Sequence, residues 1–542
     1  MLCNRYMKNL RVLLPLLLCG LCAELHAQNF DESVEVTNDL MVDMSGSQRK
    51  TIPIEIPDSL NRFKYNFDYS VFATPYRGAY EFTPYNVLFK PSVKTEVLPF
   101  FYLRAGAGYV PGAVADMIVS PRLGEKYSLN IYQHFDGYFG KYRGFEKYSG
   151  HEFTEKFGVK GTAALDLVEL NYDLFYQGLW TKDFALRGNP YHTFAGSVGV
   201  ASLPEQGRFM DYNVTLSARL SQEHSIPGGL NENALSISGE LKPIIRERVD
   251  FKMGFDTGYD LYSGALSSAL YYMKVNPKVQ FSLWKFNFNM GAAFSYFSSE
   301  GVSKLRVYPD VTASLNLLGN SLQFYLGCTG GDKLDTYYTF KQDNAHFSTL
   351  YAPDYGFRSF SRQTFNTFGG VKGLIGQHFG YDIKGGYSYK ADMPLYGISS
   401  LDPNQAVLML SGYHHAYVNS DFVWMSKHFD VKSGLHFNKT DVSAHSDAFD
   451  LPMFTSYLDF TYKLMDRFSA GFSLEYVSAR KSRLWDDRAQ YLDLGLHLKA
   501  ALNKNFALWL EGSNLLVQKV EYVPMTGKIG PFITFGIVLN FR

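Results

Sequence analysis

Three short motifs contain the residue types that most often carry chemistry in proteins. His151-Glu152-Phe153-Thr154-Glu155 begins like the zinc-binding helix of a metalloprotease, in which two histidines four residues apart hold the metal. The second histidine is absent here, and the segment leads into a run with a period of two, which predicts a strand. This motif therefore does not indicate a zinc-dependent hydrolase.

The other two motifs fail for geometric reasons. His414-His415 resembles a metal-binding pair, but neighbouring residues of a strand point to opposite faces and cannot hold one ion. The run from Gly106 to Gly112 resembles a nucleotide-binding loop, but Pro111 stands where a third glycine is needed. No local signature marks a Ser-His-acid triad either. The sequence predicts no cofactor, no metal site and no enzyme activity.

A different chemistry, the selection of solutes by polar side chains, is indicated by residues spaced two apart. Polar residues alternate with apolar ones from Val168 to Tyr176 and again from Leu492 to Ala500. In a strand of a closed barrel, one set faces the lumen and the other faces outward. We predict lumen-facing positions at Glu169, Asn171, Asp173, Asp493, His497, Lys499 and Glu511.

Composition narrows the classes of protein that these strands can form. The chain has 52 basic and 52 acidic residues, so it lacks the basic excess typical of nucleic-acid-binding proteins. Aromatic residues make up 16% of the sequence, and five of them fit the interfacial girdles of a membrane protein. These five are Tyr132, Trp180, Trp284, Trp424 and Trp509.

The first 27 residues have the features of a signal peptide. A basic segment with Arg5, Lys8 and Arg11 precedes a short apolar run, and a small residue stands before Gln28. A lipoprotein signal is disfavoured, because leucine precedes both Cys19 and Cys22. The exported chain would keep only Cys328, which excludes a disulfide framework.

Tight turns recur from residue 123 to residue 503, and each interval between them holds two strands joined by a longer connection. A soluble sandwich can show the same alternation, but short turns at one end and long loops at the other favour an outer-membrane barrel. Residues 100–542 are predicted to form an all-β, large antiparallel transmembrane β-barrel of about 22 strands, with 16–20 as alternatives. The longest loops, Asp335–Gln363, Lys390–Gly412 and Asn438–Thr455, are predicted to face outside.

The final segment is predicted to close this barrel by pairing with the first strand. It ends the chain with an unbroken apolar face, whereas its other face is mixed. Pairing with the first strand leaves no edge exposed. The apolar face consists of Ile533, Phe535, Ile537, Leu539 and Phe541.

The last part of the chain resembles the end of TonB-dependent receptor barrels. The resemblance lies in Phe506–Leu516, Tyr522–Gly527 and the closing strand; Leu516 stands where phenylalanine is usual, and Gly530-Pro531 replaces a common Gly-Arg. It implies a location in the Gram-negative outer membrane and a role in the uptake or passage of a solute. Barrel-assembly machinery and outer-membrane lipid are the partners that such a protein requires.

Residues 28–99 differ from the barrel and are predicted to form a periplasmic or lumen-entering extension. The extension is shorter than the plug of TonB-dependent receptors and lacks its Arg-Gly and Asp-Gly region. A segment with Glu32, Val34, Val36 and Thr37 resembles a TonB box, which pairs with an energising protein by strand addition, although a polar N-terminus can contain such a pattern by chance. Two functions remain open: transport, or a non-transporting scaffold for lipoprotein, secretion or outer-membrane assembly partners.

Overall fold

The computed structural model describes residues 99–541 with interruptions in the connections between strands. The interruptions are 110, 125, 140–151, 183–187, 204–208, 225–227, 245–248, 300–301, 319–320, 344, 346, 348–358, 377, 399–405, 443–451, 465–466, 481–488 and 519–530. The predicted signal peptide, residues 1–27, lies outside the described residues, as does nearly all of the extension 28–99. The TonB-box-like residues Glu32, Val34, Val36 and Thr37 therefore lie outside them too.

The described chain consists of strands and one short helix. The first eleven strands are β1 (Phe101–Tyr109), β2 (Gly112–Val119), β3 (Tyr127–Tyr138), β4 (Glu152–Ala164), β5 (Val168–Lys182), β6 (Gly188–Ser202), β7 (Met210–Glu223), β8 (Leu230–Pro243), β9 (Val249–Gly264), β10 (Ser268–Leu283) and β11 (Phe286–Ser299). The others are β12 (Val302–Asn316), β13 (Gln323–Asp335), β14 (Ser359–Ile375), β15 (Phe379–Ile398), β16 (Ala406–Met425), β17 (Phe429–Val442), β18 (Phe454–Leu464), β19 (Phe468–Val477), β20 (Tyr491–Ala501), β21 (Phe506–Ser513) and β22 (Phe532–Phe541). The helix α1 (Tyr337–Asp343) lies between β13 and β14. Within the described residues, no helix is long and apolar enough to cross a membrane.

The 22 strands form one closed antiparallel sheet. Each strand pairs with its neighbours in sequence, and β22 pairs with β1 from Phe101↔Phe541 to Tyr109↔Ile533. Closure satisfies the backbone hydrogen bonds of both terminal strands, which would otherwise be unpaired edges. The prediction of a large antiparallel barrel of about 22 strands is confirmed.

The barrel has two ends with different connections. At one end, here called the terminal end, β1 begins and β22 stops, and the tight turns predicted between residues 123 and 503 all lie between strands there. At the opposite end, the loop end, the connections include the long segments 336–358 and 514–531. The prediction that every loop-end connection is the longer one is wrong, because 110–111 and 300–301 are as short as the tightest turns.

The predicted loop Lys390–Gly412 is mostly strand. β15 and β16 are 20 residues each, and they pair from Met393↔Ser411 to Ile398↔Ala406. The register shifts between Lys390 and Met393, where Asp392 has a φ of 54°. Because such an irregularity moves the following side chains to the other face, it interrupts the alternation from which the strand would be recognised.

The two faces of the sheet differ in polarity. On β22, Phe535 is 66% exposed and Phe541 45% exposed, whereas Thr534 and Val538, on the other face, are buried. Exposed leucine and phenylalanine side chains continue this outer face on the other strands, while buried charged side chains lie on the inner face. An apolar exterior around a polar lumen is the arrangement that a membrane barrel requires.

Aromatic side chains on the outer face form two belts. Near the terminal end, Trp424 stacks on Phe429, and Phe379 on Phe422. Closer to the loop end, near the middle of the long strand β16, His414 stacks on Tyr387. His414 and Trp424 lie ten residues apart on the outer face of β16, which corresponds to about 33 Å along a strand and, at a tilt of about 40°, to about 25 Å along the barrel axis. This separation equals the height of the apolar band of outer-membrane barrels.

Two aromatics predicted for these belts lie on the inner face instead. Tyr132 donates a hydrogen bond to Asp173 across the inner wall. Trp509 is buried under the guanidinium of Arg104, 4.1 Å from the ring centroid. Both rings are held by charged partners that are available only inside the barrel. Trp284 and Trp424 are exposed, and Trp180 stacks on Phe153 at the outer face.

Inner-face tyrosines lie across glycines of neighbouring strands. A Cβ atom at Gly386 would come 2.5 Å from the Tyr417 ring, which is closer than real contacts allow. The glycine thus provides the space that lets the ring lie flat on the wall, with its hydroxyl donating to Asn366 at 3.0 Å. Contacts of this kind connect strands that are not hydrogen-bonded neighbours.

Candidate functional site at the loop end

The helix α1 follows β13 directly, and its N-terminus is capped by two threonines that each accept a hydrogen bond from the other's backbone amide. The amide of Thr339 donates to Thr336 Oγ1 at 3.2 Å, and the amide of Thr336 donates to Thr339 Oγ1 at 2.8 Å. This arrangement is equivalent to a capping box, with threonine in place of the usual glutamate. It satisfies two backbone donors and fixes the direction in which the helix leaves the strand.

The helix is buried against the inner wall of the barrel. Tyr337, Tyr338 and Phe340 form a cluster with Phe347, from the same connection, and with four wall residues. The wall residues are Leu179 of β5, Tyr191 of β6, Leu230 of β8 and Tyr262 of β9. The helix belongs to the loop Asp335–Gln363, which is predicted to face outside, and it lies at the loop end of the barrel, opposite the tight turns. There it turns inward, so its aromatic side chains are buried against the wall and do not project into solvent.

An ion pair joins α1 to β7 at the centre of this contact. Lys341 Nζ lies 3.2 Å from a carboxylate oxygen of Glu223, and neither side chain is exposed. The hydroxyl of Tyr337 donates to the same carboxylate. Lys341 Nζ also donates to the carbonyl oxygen of Ala345 at 3.4 Å. A buried charge pair of this kind is costly to break on one side only, so it specifies where the helix lies.

A second charged group lies beside the first on the wall. Arg219 donates to Glu232 at 2.6 Å, and the other carboxylate oxygen of Glu232 accepts the amide of Tyr338 at 2.8 Å. The guanidinium of Arg219 also stacks over the Tyr338 ring, 4.2 Å from its centroid. Asp260 of β9 lies 3.8 Å from Arg219. Both helix tyrosines are thereby tied to charged wall residues.

The protonation of the α1 side chains follows from their burial. Burial lowers the pKa of Lys341, whereas the carboxylate of Glu223 favours the ammonium form and opposes that shift. Burial raises the pKa of Tyr337, and the charge of Glu223 raises it further, so the phenol remains neutral and acts as a hydrogen-bond donor.

These contacts place α1 across part of the loop-end opening. The helix belongs to the β13–β14 connection, yet its partners lie on β5 to β9. Gln177 of β5 and Gln342 share a further hydrogen bond of 3.1 Å. A segment that begins at one arc of the ring and binds to another must run inside the circumference, so α1 narrows the opening.

The predicted lumen positions of β5 lie on the face opposite the exposed Leu174. Asp173 accepts a hydrogen bond from the Tyr132 hydroxyl at 2.9 Å, and the ammonium of buried Lys156 lies 4.0 Å from the Phe175 ring centroid. Glu169 and Asn171 follow Asp173 on this face toward the terminal end. These residues form part of the wall below the level of α1.

The other predicted lumen positions lie on β20 and β21, in a different arc of the ring. Glu511 forms an ion pair of 2.6 Å with Arg104, His497 is 2.9 Å from the hydroxyl of Thr461, and Asp493 accepts the amide of Asn514 at 2.7 Å. Lys499 is opposite Trp509 in the register of the two strands. The structure places these four residues on one arc, where His497 is opposite Glu511 in the register and Asp493 and Lys499 lie six positions apart on β20. Glu169, Asn171 and Asp173 lie on another arc.

The two adjacent histidines lie on opposite faces of β16. His414 is 2.8 Å from the hydroxyl of Tyr387 on the outer face. His415 is 2.9 Å from Asn438 Oδ1 on the inner face. Across the described residues, no group of three or more His, Cys, Asp or Glu side chains is arranged to hold a metal ion.

Sequence reasoning did not find the residues that hold α1. Glu223 and Lys341 are separated by 118 positions, and each occurs in a segment with no motif. The one available signal is the run Thr336-Tyr337-Tyr338-Thr339-Phe340, which is unusually aromatic for an exposed loop.

Comparisons with known proteins inform the fold of this chain and not its family. No protein-family model and no curated protein matches the sequence. Among solved structures, the FrpB iron transporter from Neisseria meningitidis matches with a TM-score of 0.65 and 10% identity, over 82% of this chain and 83% of that chain.

Two further structures give the same result. The ferric-catecholate import receptor Fiu from E. coli K12 has a TM-score of 0.63 and 8% identity, with 82% of each chain covered. The copper transporter OprC has a TM-score of 0.63 and 9% identity, over 82% of this chain and 81% of that chain. At such identities the likeness is one of fold, and it confirms the barrel architecture to which the C-terminal motifs pointed.

Proposed function

We propose that this protein is an integral β-barrel of the Gram-negative outer membrane that takes up or passes a solute, with α1 narrowing its extracellular mouth. The observation that carries the proposal is the closed barrel with an apolar, aromatic-belted exterior and a charged inner wall. A wall that serves only as a scaffold does not need buried charges aimed inward, whereas a path for a polar solute does. Known transporters with this fold support the same role.

We further propose that residues 28–99 act as a reduced plug and that the segment with Glu32, Val34, Val36 and Thr37 binds a TonB-type energising protein. Strand addition reads alternate side chains of a bound segment, and the sequence of this segment alternates valine with other residue types. Barrel-assembly machinery and membrane lipid are the further partners of the proposal. Solute selection would be set by the inner-wall residues, among them Asp173, His497 and Glu511.

The test is ion conductance in planar bilayers, with the mature chain and with a variant that lacks residues 28–99. Transport through the lumen predicts large conductance in the truncated form and little in the mature chain. Closed barrels in both forms would contradict it. The alternative function, a scaffold for lipoprotein, secretion or assembly partners, predicts closed barrels in both forms and a partner that co-purifies in mild detergent.

A further inference from the structure

The surroundings of the Lys341 ammonium have the composition of a binding site for an organic ammonium ion. Besides Glu223, the rings of Tyr191 and Tyr337 lie near Nζ, each with its centroid 5.7 Å away. Aromatic faces combined with a carboxylate are what recognise alkylammonium groups in proteins, since both stabilise a desolvated positive charge. In this structure the site is filled by the protein's own lysine.

Within the part of the chain that the structure describes, the wall beneath α1 carries more carboxyl groups than cations. Among the described residues, Glu223 and Glu232 contact α1, and Asp260 lies 3.8 Å from the guanidinium of Arg219, which also pairs with Glu232. Asp260 Oδ1 is buried and has no hydrogen-bond partner within the described residues. Lys341 supplies one further positive charge, which leaves the wall suited to receive a cation whenever that lysine is displaced or absent.

We propose that the wall beneath α1, formed by Glu223, Tyr191, Glu232 and Asp260, is a binding site for ligands that carry a primary ammonium group on an apolar body. Lys341 and Tyr337 act as an internal ligand that occupies this site when no external ligand is bound. The proposal deepens the proposed function and rests on it for biological meaning, because it assigns the chemical class of solute recognised at the mouth. An external amine competes with Lys341. The apparent affinity for the amine is therefore its intrinsic affinity multiplied by the fraction of protein in which the site is empty.

The test is equilibrium binding of n-butylammonium, measured by calorimetry on the full chain in detergent. This probe corresponds to a whole lysine side chain and is one methylene longer than the group that the substitution Lys341→Ala removes. We expect Lys341→Ala to bind it at least tenfold more tightly than the wild type, because the internal competitor is gone. Adding Glu223→Gln to that variant should reduce the affinity at least tenfold. Butyrate and n-butanol, which have the same length without the positive charge, should bind to neither protein.

A matched control is Lys384→Ala. Lys384 also lies over aromatic rings of the inner wall, 4.4 Å from the centroid of Phe368, but far along the ring from α1. Its removal should leave the affinity for n-butylammonium at the wild-type value. A tenfold gain in this control would show that any vacated lysine position binds amines and would overturn the assignment.

Two other results would overturn the proposal: equal affinities of wild type and Lys341→Ala, or undiminished binding after Glu223→Gln. If Lys341→Ala does not fold, Tyr337→Phe provides the second test, because it keeps Lys341 and removes only the hydroxyl that donates to Glu223. Weaker docking of α1 should then raise the affinity for n-butylammonium a few fold, and an unchanged affinity would contradict the proposal. Calorimetry requires no passage through the barrel, so its outcome is independent of the conductance test of the proposed function.

Discussion

Substitution of Phe340 by alanine should release α1 from the barrel wall. The Phe340 side chain is 6% exposed, belongs to the cluster that joins α1 to β5–β9, and packs on Phe347 with ring centroids 5.0 Å apart. Truncation of a buried phenylalanine to alanine costs about 3–5 kcal/mol. The wall does not need to unfold for α1 to leave, so most of this cost should fall on the docking equilibrium.

The consequence is measurable as tryptic cleavage after Lys341. That side chain is fully buried in the docked state, so cleavage requires local opening and its rate follows the open population. A loss of about 3 kcal/mol corresponds to about a hundredfold increase in that population. Mass spectrometry of the detergent-solubilised protein, digested for increasing times, gives the rate.

Two controls define the result. Phe340→Leu keeps most of the buried volume and should accelerate cleavage by no more than about tenfold, since such swaps cost less than about 1.5 kcal/mol. Cleavage after Lys126, an exposed residue in the β2–β3 turn, should occur at the same rate in all three proteins. A wild-type rate of cleavage after Lys341 in Phe340→Ala would refute the claim that these contacts hold the helix.

Further substitutions test the faces of the sheet and the packing of the inner wall. Gly386→Ala should destabilise the barrel by about 1–3 kcal/mol, because the new methyl group would overlap the Tyr417 ring. Gly385→Ala should leave the stability unchanged, because its Cβ would be 3.7 Å from its nearest neighbour. The temperature at which each variant loses its heat-modifiable mobility distinguishes the two outcomes. Val418 is 49% exposed and lies midway between the two belts, so Val418→Arg should lower the free energy of unfolding by about 2–4 kcal/mol. Asn419→Arg, on the inner face, should lower it by less than about 1 kcal/mol. Urea unfolding in lipid vesicles measures both changes. Glu511→Gln should weaken the ion pair with Arg104 at the β21–β22–β1–β2 closure and lower the urea midpoint, and an unchanged midpoint would show that this pair contributes nothing to closure.

The strand pattern and the ends of the barrel were predictable because they depend on local periodicity. Alternation with a period of two identified β5, β20 and β22, and turn residues at one end located the terminal-end connections. The closing role of β22 followed from its apolar face, and its pairing with the first strand followed from the need to leave no edge exposed. The resemblance of the last residues to TonB-dependent receptors agreed with the count of about 22 strands.

Features that depend on contacts between distant strands were not predictable in this way. The upper parts of β15 and β16 were assigned to a loop because the irregularity near Asp392 breaks the alternation. The docking of α1 requires Glu223 and Glu232 to meet a helix more than a hundred positions away, and no spacing rule connects such residues. The position of Trp509 could have been predicted from the sequence. Trp509 and Glu511 are two residues apart on β21 and therefore lie on the same face, and Glu511 was already predicted to face the lumen.

The central claim is that the chain forms a closed, membrane-spanning barrel whose last strand completes the wall, and deletion of Phe532–Arg542 tests it most directly. Without β22, the edges of β1 and β21 would lose their hydrogen-bonding partner inside the bilayer, which costs several kcal/mol for each unsatisfied group. We predict that the truncated chain yields no protease-resistant, heat-modifiable species in outer-membrane fractions, while the full chain yields one. A truncated chain that still inserts as a heat-modifiable barrel would contradict the account.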